Sequence, residues 1–130
     1  MYGFSTQVNM TFEEATSRVT ELLKEQGFGI LTEINAHKVV KDRLGLEMRP
    51  YRILGACNPN FAHRAIEQEP DIGLLLPCNV LIREEADGKV TVAFMDPQSV
   101  MGLVQRRELE ELGTDVRQRL LSVRDSLQAN

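Results

Sequence analysis

The spacing of apolar residues changes period near the start of the chain. Every second position first holds an apolar or threonine side chain, at Tyr2, Phe4, Thr6 and Val8. This alternation predicts a half-buried strand. Apolar residues then recur at helical spacing, at Phe12, Ala15, Val19, Leu22 and Leu23. Thr11 and Glu14 match a capping box, and Gly27 supplies a C-terminal stop, so we predict a helix between Thr11 and Gly27.

A strand and a short helix are predicted next. The apolar positions from about Phe28 to Ile34 favour a strand. Asn35 is a candidate N-cap for a helix that runs to about Leu44. Gly45 would end that helix.

The segment Tyr51–Cys57 is apolar and bounded by Pro50 and Asn58-Pro59, which predicts a buried strand. Asn58 is a predicted N-cap, with Pro59 at the first helical position. The helix that follows must stop before Pro70, because a proline disfavours helical backbone at the residue that precedes it.

A β-hairpin and a long helix are predicted for the C-terminal half. The apolar runs Asn79–Glu84 and Lys89–Met95 flank Asp87-Gly88, which favours a type I′ turn or a close variant with positive φ at Gly88. Gly113-Thr114 is a candidate interruption of the helix after the hairpin. That helix is traced by apolar residues at helical spacing: Leu109, Leu112, Val116, Leu120, Val123 and Leu127.

The resulting order is strand, helix, strand, short helix, strand, helix, hairpin, helix. A hairpin forces antiparallel pairing, and the strands and helices do not alternate strictly. We therefore predict one α+β domain over residues 1–130, with helices on one face of a mainly antiparallel sheet.

Composition limits the function classes more than it defines one. The 130 residues carry 15 basic and 19 acidic side chains, a net charge of −4, and 42% hydrophobic residues. These values exclude an intrinsically disordered chain and a strongly basic nucleic-acid binder. No stretch approaches the roughly 20 apolar residues of a membrane span. The N-terminal residues lack the pattern of a signal peptide, so we expect a cytoplasmic protein without a membrane partner.

The two cysteines share a sequence context. Cys57-Asn58 and Cys78-Asn79 are both Cys-Asn dipeptides beside a proline. Cys57 precedes a predicted helix start, where free N–H groups favour a thiolate. Two alternatives stay open: a functional thiol site, or two thiols that act as small core hydrophobes with Asn58 as a cap only.

Other candidate chemistry is weak. The chain has no phosphate-binding loop, no Cys-x-x-Cys and no His-x-x-x-His, so no cofactor is predicted and a structural zinc site has little support. His63, in the helix after Asn58-Pro59, is either a surface residue or a ligand or base beside the thiols. His37 is predicted at the surface. A basic stretch predicts a solvated face and not a nucleic-acid contact, because no aromatic residue suited to stacking bases is interleaved with it; it comprises Lys38, Lys41, Arg43, Arg49 and Arg52.

Two segments carry a family resemblance. Residues 50–59, PYRILGACNP, and residues 73–80, GLLLPCNV, resemble the two hallmark segments of the domain-of-unknown-function 302 family. Their spacing, the Asp87-Gly88 turn and Pro97 also fit. The resemblance covers nearly the whole chain and is weakest beyond Leu103.

The resemblance implies a fold more than a function. Family members are bacterial and archaeal proteins without an established activity. Their architecture is similar to that of the TATA-binding protein: a curved antiparallel sheet with helices, in the order β-α-β-β-β-β-α with additions. DNA binding does not follow from that fold.

Two classes of function are therefore considered. The first is a homodimeric module that binds a small ligand in the sheet groove or serves in assembly. An unpaired sheet edge and the apolar cluster Val100-Met101 with Leu103-Val104 are candidate dimer contacts. The alternative is a redox or metal site built on Cys57 and Cys78. Its further candidates are Asn58, Asn79 and His63.

Overall fold

The fold was analysed in a computed structural model, which describes residues 1–128. Five strands alternate irregularly with five α-helices and one 3₁₀ helix at Pro70–Leu75. The strands are β1 (Gly3–Val8), β2 (Gly29–Asn35), β3 (Tyr51–Cys57), β4 (Cys78–Glu84) and β5 (Val90–Met95). The helices are α1 (Phe12–Glu25), α2 (Ala36–Leu44), α3 (Pro59–Gln68), α4 (Pro97–Gly102) and α5 (Arg107–Gln128). The predicted order is confirmed, and the structure adds two elements that were not predicted, the 3₁₀ helix and α4.

The strands form one antiparallel sheet in the order β1-β5-β4-β3-β2. The two strands nearest the N-terminus therefore lie at opposite edges. The predicted α+β class with a mainly antiparallel sheet is confirmed.

Helices cover one face of this sheet. Along β4, Cys78, Val80 and Ile82 are buried, whereas the intervening Asn79, Leu81 and Arg83 are more open. Because successive side chains of a strand point to opposite faces, the core lies on the Val80 side. Most of its fully buried members come from the sheet and from α1 and α5, among them Val19, Leu23, Val80, Ile82, Phe94, Leu109 and Leu120. The other side of the sheet is called the open face here.

The first helix begins as the sequence predicts. The Thr11 N–H donates to Glu14 Oε1 at 3.0 Å, and the Glu14 N–H donates to Thr11 Oγ1 at 3.1 Å. Gly27 follows the helix with φ +88°, a conformation that costs glycine little. The capping box and the glycine stop are both confirmed.

The long C-terminal helix is not interrupted at Gly113-Thr114, so that prediction is wrong. Helix α5 runs through both residues, and a Cβ on Gly113 would lie 2.9 Å from the carbonyl oxygen of Pro97. The glycine allows α4 to approach α5. The same packing places Met101 at 0% exposure, so the proposed Val100–Val104 patch turns largely into the core and leaves only Leu103 well exposed.

The hairpin turn differs from the predicted type I′. Gly88 has φ +85°, as expected, but Asp87 does not have the positive φ that type I′ needs. The turn spans Glu85–Gly88, where the Gly88 N–H donates to the Glu85 carbonyl at 3.0 Å. Asn35 is a second correction: it makes no side-chain cap for α2, because its Oδ1 accepts a hydrogen bond from Arg52 at 2.7 Å.

Candidate functional site

The Cys-Asn dipeptides lie at one end of the sheet. Cys57 is the last residue of β3 and Cys78 is the first of β4, and the register pairs Ala56 with Cys78. The two cysteines are therefore on neighbouring strands, offset by one residue. That offset directs their side chains to opposite faces of the sheet, Cys78 into the core and Cys57 toward the open face.

Neither thiol is activated. Burial raises the pKa of the Cys78 thiol from 9.0 to about 12, and the nearby Cys57 thiolate adds to the rise. Burial also raises the pKa of the half-buried Cys57 thiol. The helix dipole argument predicted the opposite direction for Cys57. Both side chains are thus thiols at neutral pH, and cysteines whose Cβ atoms point apart do not form a disulfide.

Asn58 is the N-cap of α3. Its Oδ1 accepts a hydrogen bond from the Phe61 N–H at 3.2 Å, and the residue is 9% exposed. Pro59 occupies the first helical position, where its missing N–H costs nothing. The predicted cap is confirmed, and Asn58 is engaged in that role.

Gly55 and Pro77 explain much of the sequence around the two cysteines. A Cβ on Gly55 would clash with Thr32 Oγ1, and it would lie 2.9 Å from Cγ of Pro77, which follows a cis peptide bond. The glycine therefore lets the threonine of β2 and the proline before β4 close over β3. Gly55 and Pro77 therefore have a packing role that does not depend on any function of the cysteines.

His63 does not join the thiols. Its side chain is 75% exposed and its Nε2 lies 2.7 Å from Glu67 Oε1, one turn along α3. His37, predicted at the surface, is half-buried, and its Nδ1 accepts a hydrogen bond from the Tyr51 N–H at 3.0 Å. Within residues 1–128, no group of three His, Cys, Asp or Glu side chains is arranged to hold a metal ion.

Arg52 departs most from the prediction of a solvated basic face. The residue is 7% exposed, and its guanidinium lies 4.6 Å from the Phe12 ring centroid. Its Nη1 pairs with Glu13 Oε1 at 3.0 Å and donates to Thr16 Oγ1 at 2.9 Å. Arg52 thus ties β3 to α1. Its position within the apolar run Tyr51–Cys57 is the one sequence feature that indicated burial.

Asn79 lies on the open face, within a groove. One row of side chains crosses all five strands on this face, by register: Ile34, Ile53, Leu81, Ala93 and Ser5. The groove has a volume of about 700 Å³ and extends from this row to the start of β1. Leu81, Ala93 and Met95 form an apolar floor, and Asn79 and Arg83 stand at its two ends along β4.

The polar groups around this floor are largely without protein partners. Arg83 uses its Nε–H on Glu85 Oε1 at 2.7 Å, and its Nη groups make no hydrogen bond to any residue in the described range. Within residues 1–128, the side-chain amide of Asn79 and the hydroxyl of Ser5 likewise make no hydrogen bond to the protein. No acidic residue lines the groove in that part of the chain. The groove therefore offers free hydrogen-bond donors above an apolar surface.

Comparisons with known proteins agree with the hallmark segments. The family model described as "Domain of unknown function DUF302" matches residues 4–127. A crystal structure of an uncharacterized conserved protein DUF302 from Bacillus stearothermophilus is similar over 98% of both chains, at 27% sequence identity and a TM-score of 0.90. No curated protein matches the chain.

Proposed function

Since the chain belongs to the DUF302 family, whose description assigns no activity, we propose its function from the geometry of its sheet: it is a module that binds a small ligand in the open-face groove. The observation that supports this is the apolar floor of Leu81, Ala93 and Met95 with unpartnered donors beside it. Pockets for small molecules have this composition, with apolar walls and a few placed polar groups. The volume of about 700 Å³ also falls in their range.

The ligand that fits is a small, mainly apolar molecule with one anionic group. Arg83 supplies the cation, and a guanidinium with two free Nη groups suits a carboxylate. Asn79 and Arg83 are four residues apart, or about 13 Å along an extended strand. A ligand whose acid contacts Arg83 therefore places its apolar body over Leu81, with Asn79 at the far end.

The thiol alternative is not supported by any observation at the two cysteines. Both thiols have raised pKa values, and their side chains point to opposite faces. His63 is paired with Glu67 and Asn58 with the α3 backbone. Of the five residues first considered for a site, Asn79 alone enters the proposed ligand groove.

We also propose that the chain is a cytoplasmic homodimer and that it has the TATA-binding-protein-like architecture. Two open sheet edges, β1 and β2, support the dimer, because unpaired edges are usually protected by pairing or covering. The element order and the single covered face support the architecture. No helix in residues 1–128 is long and apolar enough to cross a membrane.

A titration followed by backbone amide NMR tests the groove. The probes are hexanoate, hexan-1-ol and hexylamine, which share one apolar chain and differ in charge. We expect hexanoate to shift the amides of Asn79–Arg83 and Ala93, and to bind at least about tenfold more tightly than hexan-1-ol, since a charge-assisted contact contributes more than about 1.4 kcal/mol.

Three variants make the result specific. Ala93→Trp fills the floor and should abolish the shifts, whereas Leu74→Trp, at an 86% exposed position outside the groove, should leave them unchanged. Arg83→Gln should remove the preference for hexanoate over hexan-1-ol. Shifts that map away from β4 and β5, or equal affinity for all three probes in the wild type, would refute the proposed site.

A further inference from the structure

The segment from Gly29 to Pro50 contains no buried residue, although it forms a strand and a helix. It comprises β2, α2 and the extended residues that lead into β3, and we call it the β2–α2 surface. A regular helix or strand in a folded protein normally buries one side. Here the chain covers that side only in part, through Ile30 against the core and His37 against Phe12.

The β2–α2 surface is rich in exposed apolar side chains. Of the eleven large apolar residues that the structure describes as exposed, six lie in these 22 positions. They are Leu31, Ile34, Val39, Leu44, Leu46 and Met48, and Leu31 and Leu44 are more than two-thirds exposed. Single exposed apolar residues are ordinary, but six within 22 residues are more than that scatter and indicate an interaction surface.

Helix α2 needs this cover more than the longer helices α1, α3 and α5 do. It has nine residues and buries none of them. Helices shorter than about 12 residues are marginal in water without packing. Its described ties to the rest of the chain are few, chiefly the His37 hydrogen bond to Tyr51. A partner seated against Leu44, which is 67% exposed, would supply packing that the chain itself does not.

The size and charge of the surface fit a second copy of this chain. A standard interface uses about 20–30 residues a side and about a tenth of a small protein's surface. The β2–α2 surface has 22 residues, which falls in that range, on a chain whose accessible area is 7748 Å². Its charges are mixed, with four basic and three acidic residues. A two-fold contact brings the same patch together twice, which mixed charges tolerate and a single sign would oppose.

We propose that the β2–α2 surface binds a second copy of the chain around a two-fold axis. This inference rests on the proposed homodimer and adds its location. The contact is made by side chains and not by a continued sheet, because Leu31 is an extra, bulged residue in β2 and bulges disfavour edge pairing. Of the ligand groove, Asn79 and Leu81 lie outside this surface, whereas Arg83 borders it at Met48 and Arg49.

Light scattering of the wild type and three variants tests the location. Leu31→Glu and Leu46→Glu place a charge in the proposed contact, and Leu74→Glu is the matched control at an 86% exposed position elsewhere. We expect a wild-type particle of twice 14.7 kDa. Each contact variant should raise the dimer dissociation constant at least about tenfold, because a carboxylate buried in an apolar contact without a partner is strongly unfavourable, while the control stays dimeric.

The outcomes separate this inference from the proposed dimer. A monomeric wild type at about 100 μM would refute both and would leave the surface to a different protein. A wild type and variants that all stay dimeric would refute the location alone, as would a monomeric Leu74→Glu.

Hydrogen exchange of the wild type covers the case in which a variant does not fold. Amides of residues 29–50 should exchange at least about tenfold more slowly above the dissociation constant than below it. Equal exchange at both concentrations would refute the location.

Discussion

Removing the Cys78 thiol should change how the stability of the protein depends on pH. The folded pKa of Cys78 is raised from 9.0 to about 12, chiefly because the side chain is 3% exposed. A group whose folded pKa exceeds its unfolded pKa contributes stability below the unfolded value and loses it as pH rises toward the folded value. The contribution of Cys78 is therefore complete below pH 9 and declines between pH 9 and about 12.

The magnitude follows from the two pKa values. The full difference corresponds to about 4 kcal/mol, and the loss already reached at pH 10 is about 1.4 kcal/mol. Cys78→Ala lacks this titration but keeps every other ionisable group. The stability advantage of the wild type over Cys78→Ala should therefore shrink by about 1.4 kcal/mol from pH 7 to pH 10.

Urea denaturation followed by circular dichroism measures this difference at pH 7, 9 and 10. Cys57→Ala is the matched control, because Cys57 is half-buried and its pKa is raised for the same reason but less strongly. Its stability difference from the wild type should change less over the same range. A difference between wild type and Cys78→Ala that is flat from pH 7 to pH 10 would refute the assignment of Cys78 to the core.

Three further predictions concern packing, the turn and nucleic acids. Gly113→Ala should destabilise by about 1–2 kcal/mol, because overpacking against the Pro97 carbonyl outweighs the roughly 1 kcal/mol gain in helix propensity; a stabilised variant in urea denaturation would contradict the close approach of α4. Gly88→Val should destabilise by about 1 kcal/mol or more because of its φ of +85°, and an unchanged melting temperature would contradict the turn. Sub-micromolar binding of DNA or RNA at about 150 mM salt, measured by fluorescence anisotropy, is not expected for a chain of net charge −4.

The sequence predicted the elements that depend on neighbouring residues. The Thr11–Glu14 capping box, the Asn58 cap and the glycine after α1 are local interactions, and all three are present. The five strands follow from runs of apolar residues. Their order and the α+β class follow from the same pattern together with the hairpin, and the family resemblance implies a similar fold.

What the sequence missed depends on contacts between distant residues. From sequence alone, Gly113 suggests a helix break, but in the structure it makes room for α4. Arg52 suggests a surface cation, but in the structure it contacts Phe12 and Glu13. The groove combines side chains of β1, β4 and β5, whose alignment is set by the register alone. The likeness of the two Cys-Asn dipeptides suggested a working pair, but the one-residue offset between Cys57 and Cys78 separates their side chains.

A crystal structure of the protein, purified from its cells without denaturation, tests the proposed ligand groove most directly. We predict electron density for a small molecule over Leu81 and Ala93, with an acidic group within hydrogen-bonding distance of Arg83. Density for a ligand at the Cys57 end of the sheet or on the helical face, with the groove filled by solvent alone, would contradict the account.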